Sequence, residues 1–347
     1  MHASKLLVAV PIALLLEWLE MPPLLVFIAS VVAILPLVGL MGHATEVLAA
    51  KLGPTVGGLL NSTLINLPEL IIGGVALSKG LTSVVKASLT GAILANLLVS
   101  LGVALIVGGR KYGVQRFDSR RLSINSSMLL VCAFCFIVPA VFNLGTPDGT
   151  RDLSYEMSFV LLGIYCANVI VTVFAHEGGT DLPGDEMITD VHPDQPLWRS
   201  FVLLAVAAGF LAAVSEVMSD ALTPTARMLG LSDTFSGLVL LGGMGTMGEI
   251  LASSHFARQG RPSLVLSSTM GSTIQLVLLV APLLVFLGPL IGQPMDLMFT
   301  SFEVVSIVLA SMIARELIRD GQGTWFEGLL LIGVYAILSI GFYHLPG

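Results

Sequence analysis

Apolar runs punctuated by short clusters of charged residues, glycine and proline divide the chain into eleven segments. They span 4–19, 23–51, 54–79, 82–109, 122–143, 153–175, 197–221, 233–258, 262–289, 296–315 and 325–345. Runs of this length and apolarity read as helices that cross a bilayer, since about 20 apolar residues of helix cover its hydrocarbon core. The pattern therefore predicts an all-α polytopic membrane protein with about 11 transmembrane helices. Within the third segment, Glu69 is the sole charged residue between Lys51 and Lys79. The ten residues that separate it from Lys79 place it ~15 Å along the helix axis, about half a bilayer core. A carboxylate at that depth marks an ion path, a proton relay or a paired structural charge.

Composition agrees with the pattern and closes off other classes. Of the 347 residues, 55% are hydrophobic and 11% charged, with a mean hydropathy of +0.93, too apolar for a soluble domain. A net charge of −7 argues against nucleic acid as a partner. The first apolar segment runs at once into the second without a small-residue cleavage site, so it is expected to remain as a helix. Cys132, Cys135 and Cys166 all fall in apolar runs and read as small buried hydrophobes rather than a redox pair. Among enzyme classes, no His-Glu-x-x-His and no nucleophile elbow supports an intramembrane hydrolase.

The basic residues set the expected orientation. With the N-terminus inside, twelve Lys and Arg fall in cytoplasmic segments, against four on the other side, and the Arg110–Arg121 cluster contributes most of the asymmetry. This places the N-terminus in the cytoplasm and the C-terminus outside. The longest polar stretch, residues 176–196, carries Glu177, Asp181, Asp185, Glu186, Asp190 and Asp194 with no Lys or Arg. It is expected to be an acidic cytoplasmic linker, either a solvated connection or a weak attractor of cations.

The chain also resembles itself. At an offset of 180, Glu69 meets Glu249, Gly80 meets Gly260, Ser83 meets Ser263, Ser88 meets Ser268 and Gly91 meets Gly271. Glu249, like Glu69, is the sole charge in its run, between Asp233 and Arg258. Because the third segment starts inside and the eighth outside, the halves run in opposite directions. That is an inverted repeat, the layout of alternating-access transporters. The expected domains are an N-terminal transmembrane helix in 1–22, a first five-helix repeat in 23–175, the linker 176–196 and a second five-helix repeat in 197–347.

Candidate chemistry gathers around the two glutamates. Pro68 and Gly248 precede them and are expected to loosen the helix and free carbonyl oxygens. Asn66 is three residues before Glu69, and Thr246 three before Glu249, so each pair is expected to share a helix face. Asn96 follows Gly91, and Ser272 and Gln275 follow Gly271, where small residues let helices approach closely. Carboxylate, amide and hydroxyl oxygens suit hard cations. A buried carboxylate resists ionisation, so a proton and a cation would compete for it, which is the least chemistry a cation/proton antiporter needs. Glu46 and Glu216, in the second and seventh segments, are candidates for gating or ion-entrance groups. Glu303 and Glu327 read instead as helix-end or packing charges, and His255, six residues after Glu249, falls on a different face.

These residues resemble the calcium/proton antiporter family of the cation/calcium exchanger superfamily. The resemblance is carried by Gly42-His-Ala-Thr-Glu46, the run from Leu52 to Asn61, Asn66-x-Pro-Glu69, Val84–Gly91 leading to Asn96, Gly271-Ser272-x-x-Gln275, Phe302–Val305 and Asp320–Gly328. It implies eleven helices, two inverted five-helix repeats after the first, and Glu69 and Glu249 as the central ligands of cation and proton. The second half departs from the family pattern: Thr246 stands where an asparagine is usual, and Ile250 where a histidine is. Thr223 stands where many members carry a glutamate.

The resulting expectation is secondary active cation/proton antiport, Ca2+ first, by alternating access. A Na+/H+ or K+/H+ exchanger on the same fold and a transport-dead paralogue are the alternatives. No enzymatic activity and no cofactor are expected beyond the transported cation and protons. The expected metal ligands are Glu69, Glu249, Asn66, Thr246, Asn96, Ser272 and Gln275. The expected partners are the lipid bilayer and inorganic cations, a homo-oligomer is allowed, and the expected location is the bacterial plasma membrane.

Overall fold

The computed structural model describes residues 6–141, 147–177 and 196–345, and it is helical nearly throughout. In chain order the helices are α1 (Ala9–Trp18), α2 (Pro23–Leu64), α3 (Leu67–Ser78), α4 (Thr82–Tyr112), α5 (Ser119–Val141), α6 (Pro147–Glu177), α7 (Leu197–Leu229), α8 (Asp233–Gly245), α9 (Met247–Gln259), α10 (Pro262–Leu290), α11 (Ser301–Leu317) and α12 (Trp325–Tyr343). Two two-residue strands, β1 (Gln115–Arg116) and β2 (Gln322–Gly323), pair antiparallel, with Gln115 opposite Gly323. Apart from its first two residues and Pro196, the acidic stretch 176–196 lies outside the described residues.

Among the described residues seven helices are long and apolar enough to cross a membrane, or eight if the bent pair α8–α9 counts as one span. This differs from eleven even segments for local reasons. The second and third predicted segments do not separate at Gly53-Pro54; α2 continues to Leu64 and the chain breaks at Asn66, so α3 is left with only 12 residues. Pro68 falls inside the first turn of α3, where its missing N–H costs nothing, so proline marks the start of this helix and not a kink within it. The eighth predicted segment bends by 45° between Gly245 and Met247.

Helix ends carry ordinary stop and start chemistry. Gly260 ends α9 with a left-handed φ of +73°, which lets Arg261 N–H reach the Phe256 carbonyl at 3.0 Å. Glu303 and Glu327 are both capping-box residues. Each accepts from the backbone N–H and the hydroxyl of Thr300 or Thr324, while that threonine accepts the glutamate's own N–H. They are helix-end groups, as the sequence suggests.

The chain forms two compact units. The first comprises residues 1–82 and 166–233, and its most extensive contact is α2 along α7, with Leu37, Met41, Leu48, Leu211, Val214 and Met218 in its core. The second comprises residues 83–165 and 234–347, with α4 packed against α9 and α12 around Leu94, Leu98, Leu101 and Leu105. Large apolar side chains such as Trp18, Phe159, Leu290 and Ile337 are exposed, as expected where lipid takes the place of water.

Close approach within the second unit depends on glycine. A Cβ on Gly91 would collide with the Leu238 carbonyl of α8, and one on Gly242 would lie 2.9 Å from the Ala92 nitrogen of α4. The repeat-related Gly271 is different: its Cβ would meet only the Leu266 oxygen of its own helix, at 3.9 Å. The small residue at Gly91 serves helix contact, whereas the one at Gly271 does not.

Candidate functional site

In the first unit the chain leaves α2 at Leu64, turns at Asn66 (φ −99°, ψ 16°) and enters α3 at Leu67. Glu69 is therefore the third residue of a helix, not the middle of one, and Asn66 sits at its N-cap. The expected shared helix face for this pair is replaced by a break, with Leu70 N–H closing onto the Asn66 carbonyl at 3.2 Å. Both Asn66 and Glu69 are buried.

The second unit repeats the device. Thr246 (φ −84°, ψ 2°) separates α8 from α9, so Glu249 is the third residue of α9 and Thr246 its N-cap. Again Ile250 N–H reaches the Thr246 carbonyl, at 3.0 Å. The Thr246 hydroxyl points back toward the backbone, 3.1 Å from the Gly243 carbonyl and 3.3 Å from that of Gly242. Here too the expected face-sharing of Thr246 with Glu249 gives way to a cap position.

This placement has an energetic reason. A charged side chain at the bilayer centre costs about 3 kcal/mol on insertion scales and upwards of 10 kcal/mol for an isolated helix. The positive end of a helix dipole returns at most about 2 kcal/mol in a partly buried setting. The first-turn position thus offsets part of the cost, and the remainder must come from hydrogen bonds, a proton or a cation.

Those hydrogen bonds are visible around Glu249. Ser272, on α10, directs its hydroxyl to Glu249 Oε1 at 3.4 Å, and Asn96, on α4, directs its amide nitrogen to Ser272 Oγ at 3.5 Å. Asn96, Ser272 and Glu249 are thus brought together within the second unit, all buried. The Asn96 amide oxygen is buried with no hydrogen-bond partner among the described residues. Gln275 lies in α10 three residues after Ser272 and is half-buried. Backbone geometry contributes as well: Asn96 lies in a π-helical stretch, Ala95–Ser100; Ser272 directly follows another, Ser267–Gly271; and a third, Ser236–Gly242, precedes the Thr246 break. Such stretches displace backbone carbonyls from the regular ladder and recur at functional sites. Among the described residues no three His, Cys, Asp or Glu side chains form a metal-binding group, so a cation here would rest on fewer than three carboxylates together with amide, hydroxyl and backbone oxygens.

The remaining candidates fall elsewhere. Glu46 is half-buried on α2. Glu216 is exposed on α7 and already engaged: Lys79, the residue after α3, lies 2.8 Å from its Oε1 and 2.9 Å from Asp220 Oδ2, one turn further along. The Glu216 hydrogen bond first, then that of Asp220, pushes the Lys79 ammonium above its ordinary value. Sequence reading missed Lys79 and Asp220 as partners because 141 positions separate them. His255 pairs with Gln259 at 2.8 Å on an exposed surface, away from the polar cluster, as its position suggests.

Comparison with known proteins is consistent with this geometry. The profile of the sodium/calcium exchanger protein family matches residues 22–174 and 199–343. The Ca(2+)/H(+) antiporter of Aphanothece halophytica is 34% identical over 98% of this chain and 96% of its own length. The Ca(2+)/H(+) antiporter ChaA of Bacillus subtilis is 33% identical over 97% of each chain. The structure of native YfkE superposes with a TM-score of 0.83 at 30% identity, covering 99% of this chain and 100% of that one. The H+/Ca2+ exchanger CAX, at 16% identity, shares the fold with a TM-score of 0.75 over 98% of this chain and 91% of its own. The chain is a multi-pass membrane protein that belongs to the sodium/calcium exchanger protein family, on its calcium/proton antiporter branch.

Proposed function

We propose that the protein exchanges a cation, Ca2+ first, for protons by alternating access, with cation and proton competing at Glu69 and at Glu249. The observation that carries this reading is the matched placement of the two carboxylates, each buried at the third residue of a helix that follows a break. A carboxylate so placed is stable when neutralised, and the oxygens near it can share a divalent cation once the proton leaves. At the first break Asn66 would contribute an amide. At the second, Asn96 and Ser272 would contribute, and Thr246 only through the lone pairs its hydroxyl retains. Gln275 would serve as an outer ligand.

The printed activities of the 33–34% identical relatives support Ca2+ and H+ as the exchanged ions. Two separate matches to one family profile support two repeats in 23–175 and 197–347 after an N-terminal helix in 1–22. The bent pair together with the short apolar helices α1 and α3 and the 17-residue α11 would bring the crossings to eleven. The basic-residue count supports a cytoplasmic N-terminus and an outside C-terminus, and the bacterial relatives support the plasma membrane. Glu46 and Glu216, on the two helices that pack along each other in the first unit, would act at the entrances during gating.

Thr246 is the observation that favours a second reading, Na+/H+ or K+/H+ exchange, since its proton is directed to backbone carbonyls and no amide oxygen stands in its place. One experiment separates the two. Purified protein in proteoliposomes with an acidic lumen should take up Ca2+ and alkalinise the lumen in proportion as protons leave, and Glu69→Gln and Glu249→Gln should each abolish both signals. Uptake of Na+ or K+ in place of Ca2+ would select the second reading, and undiminished flux in either variant would refute both.

A further inference from the structure

The second unit contains a buried polar pair outside the candidate ligand set. Ser100 ends the π-helical stretch of α4, four residues after Asn96. Ser253 lies on α9, four residues after Glu249. Their hydroxyls are 2.9 Å apart, and both residues are fully buried. Ser253 Oγ also lies 3.3 Å from the Ser100 carbonyl and 3.2 Å from that of Ile250, so both hydroxyls can be satisfied without water.

The two helices face each other in layers. In the first, Asn96 and Glu249 are bridged by Ser272 through contacts of 3.5 and 3.4 Å. In the second, Ser100 and Ser253 meet directly at 2.9 Å. One turn on, Ala104 and Ala257 are fully buried and apolar, and at the far end Lys111 and Tyr112 hold the Arg258 carbonyl at 2.7 and 2.9 Å. The Arg258 clamp is nine residues from Glu249, about 13 Å along the axis, too distant to fix the first turn of α9. That turn follows the break at Thr246 and has no side-chain cap. The serine pair is a direct side-chain link from α9 to α4, a single turn from the carboxylate.

We propose that Ser100 and Ser253 are positioning residues for Glu249. They lock the axial register and rotation of α9 against the Asn96-bearing stretch of α4, and so set how near Glu249 Oε1 stands to Ser272 and Asn96. The ligand affected is an oxygen-coordinated cation, for which a shift of a few tenths of an ångström in ligand radius separates one ion from another. This role rests on Glu249 being a cation and proton ligand.

The test uses the full chain in proteoliposomes, with Ca2+ as the probe ion and Na+ as the competitor. Ser100→Ala and Ser253→Ala should each raise the apparent KM for Ca2+ by about fivefold, the worth of one buried hydrogen bond, with little change in maximal rate. Both should also shift the pH at which protons half-inhibit uptake, a readout that loss of packing alone would not move. The double variant should be no worse than either single one, since the pair acts as a unit, and Ser253→Thr should restore the wild-type KM. Should an alanine variant fail to accumulate, Ser100→Cys and Ser253→Cys keep the volume with a weaker donor and are expected to show the same shifts. If Glu249→Gln is silent but the serine variants keep wild-type KM and pH midpoint, the positioning role falls and the exchange reading stands. If Glu249→Gln still exchanges Ca2+ for protons, both fall.

Discussion

Lys79 Nζ stands 2.8 Å from Glu216 Oε1, so the end of the helix that carries Glu69 is tied by charge to α7 within the first unit. Asp220, one turn along α7, holds the same ammonium at 2.9 Å. Glu216, which the sequence presents as a gating or ion-entrance group, thus shares the Lys79 ammonium with Asp220.

Lys79→Gln should therefore alter transport more than stability. The pair is partly exposed, and such ion pairs contribute about 0–1 kcal/mol, so thermal unfolding in detergent should shift by no more than a few degrees. Freed of Lys79, Glu216 and Asp220 should attract cations, and the apparent KM for Ca2+ should fall, by about two- to fivefold at low ionic strength, an effect that added salt erases. Because its partners push the Lys79 ammonium upward, the ion pair is fully present below the ordinary lysine range and is lost only as pH rises through the higher folded-state value. Between about pH 6 and pH 9 the pH profiles of wild type and Lys79→Gln should have the same shape, since lysine does not titrate there.

Ser272→Ala removes the hydroxyl that reaches Glu249 and leaves Asn96 without its acceptor. Hydrogen bonds to charged groups are worth about 1.5–3 kcal/mol, so the apparent KM for Ca2+ should rise at least tenfold in initial-rate uptake assays. Ser272→Cys should lie between the two.

Gly91→Ala and Gly271→Ala form a matched contrast between repeat-related positions. At Gly91 the new methyl meets the Leu238 backbone, which cannot swing aside, and a loss of about 3 kcal/mol is expected, seen as poor expression or a lowered Tm. At Gly271 there is room, and the gain in helix propensity should leave stability unchanged or raised by up to about 1 kcal/mol.

Thr324→Ala breaks one capping box and should cost about 1 kcal/mol, read as a small drop in Tm with Ca2+ KM unaffected, because Glu327 serves the start of α12 and not the ion. A change in KM without a change in Tm would contradict that assignment.

How far the sequence could lead depended on which interaction decided each feature. Membrane class and the matched pair of buried glutamates were legible because a lone charge in an apolar run is visible one residue at a time. The capping boxes at Thr300-x-x-Glu303 and Thr324-x-x-Glu327 carry a local signature and were equally within reach. The breaks at Asn66 and Thr246 were not, since neither residue is a strong helix breaker and Pro68 suggested an interruption two positions too late. The π-helical stretches left no trace in hydropathy, because a single extra residue per turn hardly disturbs an all-apolar period. The pairings of Lys79 with Glu216 and of Ser100 with Ser253 span 137 and 153 positions and depend wholly on how helices pack. Glu216 consequently looked free to receive ions.

The small ribbon formed by β1 and β2 bears on how this protein can be handled. Gln115 inserts its side-chain amide between the Ala104 and Leu105 carbonyls of α4, and Phe117 N–H bonds to the Gly321 carbonyl, so the loop after α4 is stapled to the loop before α12. Gly323 has no space for a side chain, with Leu105 Cδ2 2.5 Å from where its Cβ would be. Short surface loops are the usual places for an epitope tag, a fluorophore or a fiducial fusion, but these two would lose their pairing to any such insert. A label at the end of α12 beyond Tyr343 leaves the staple intact.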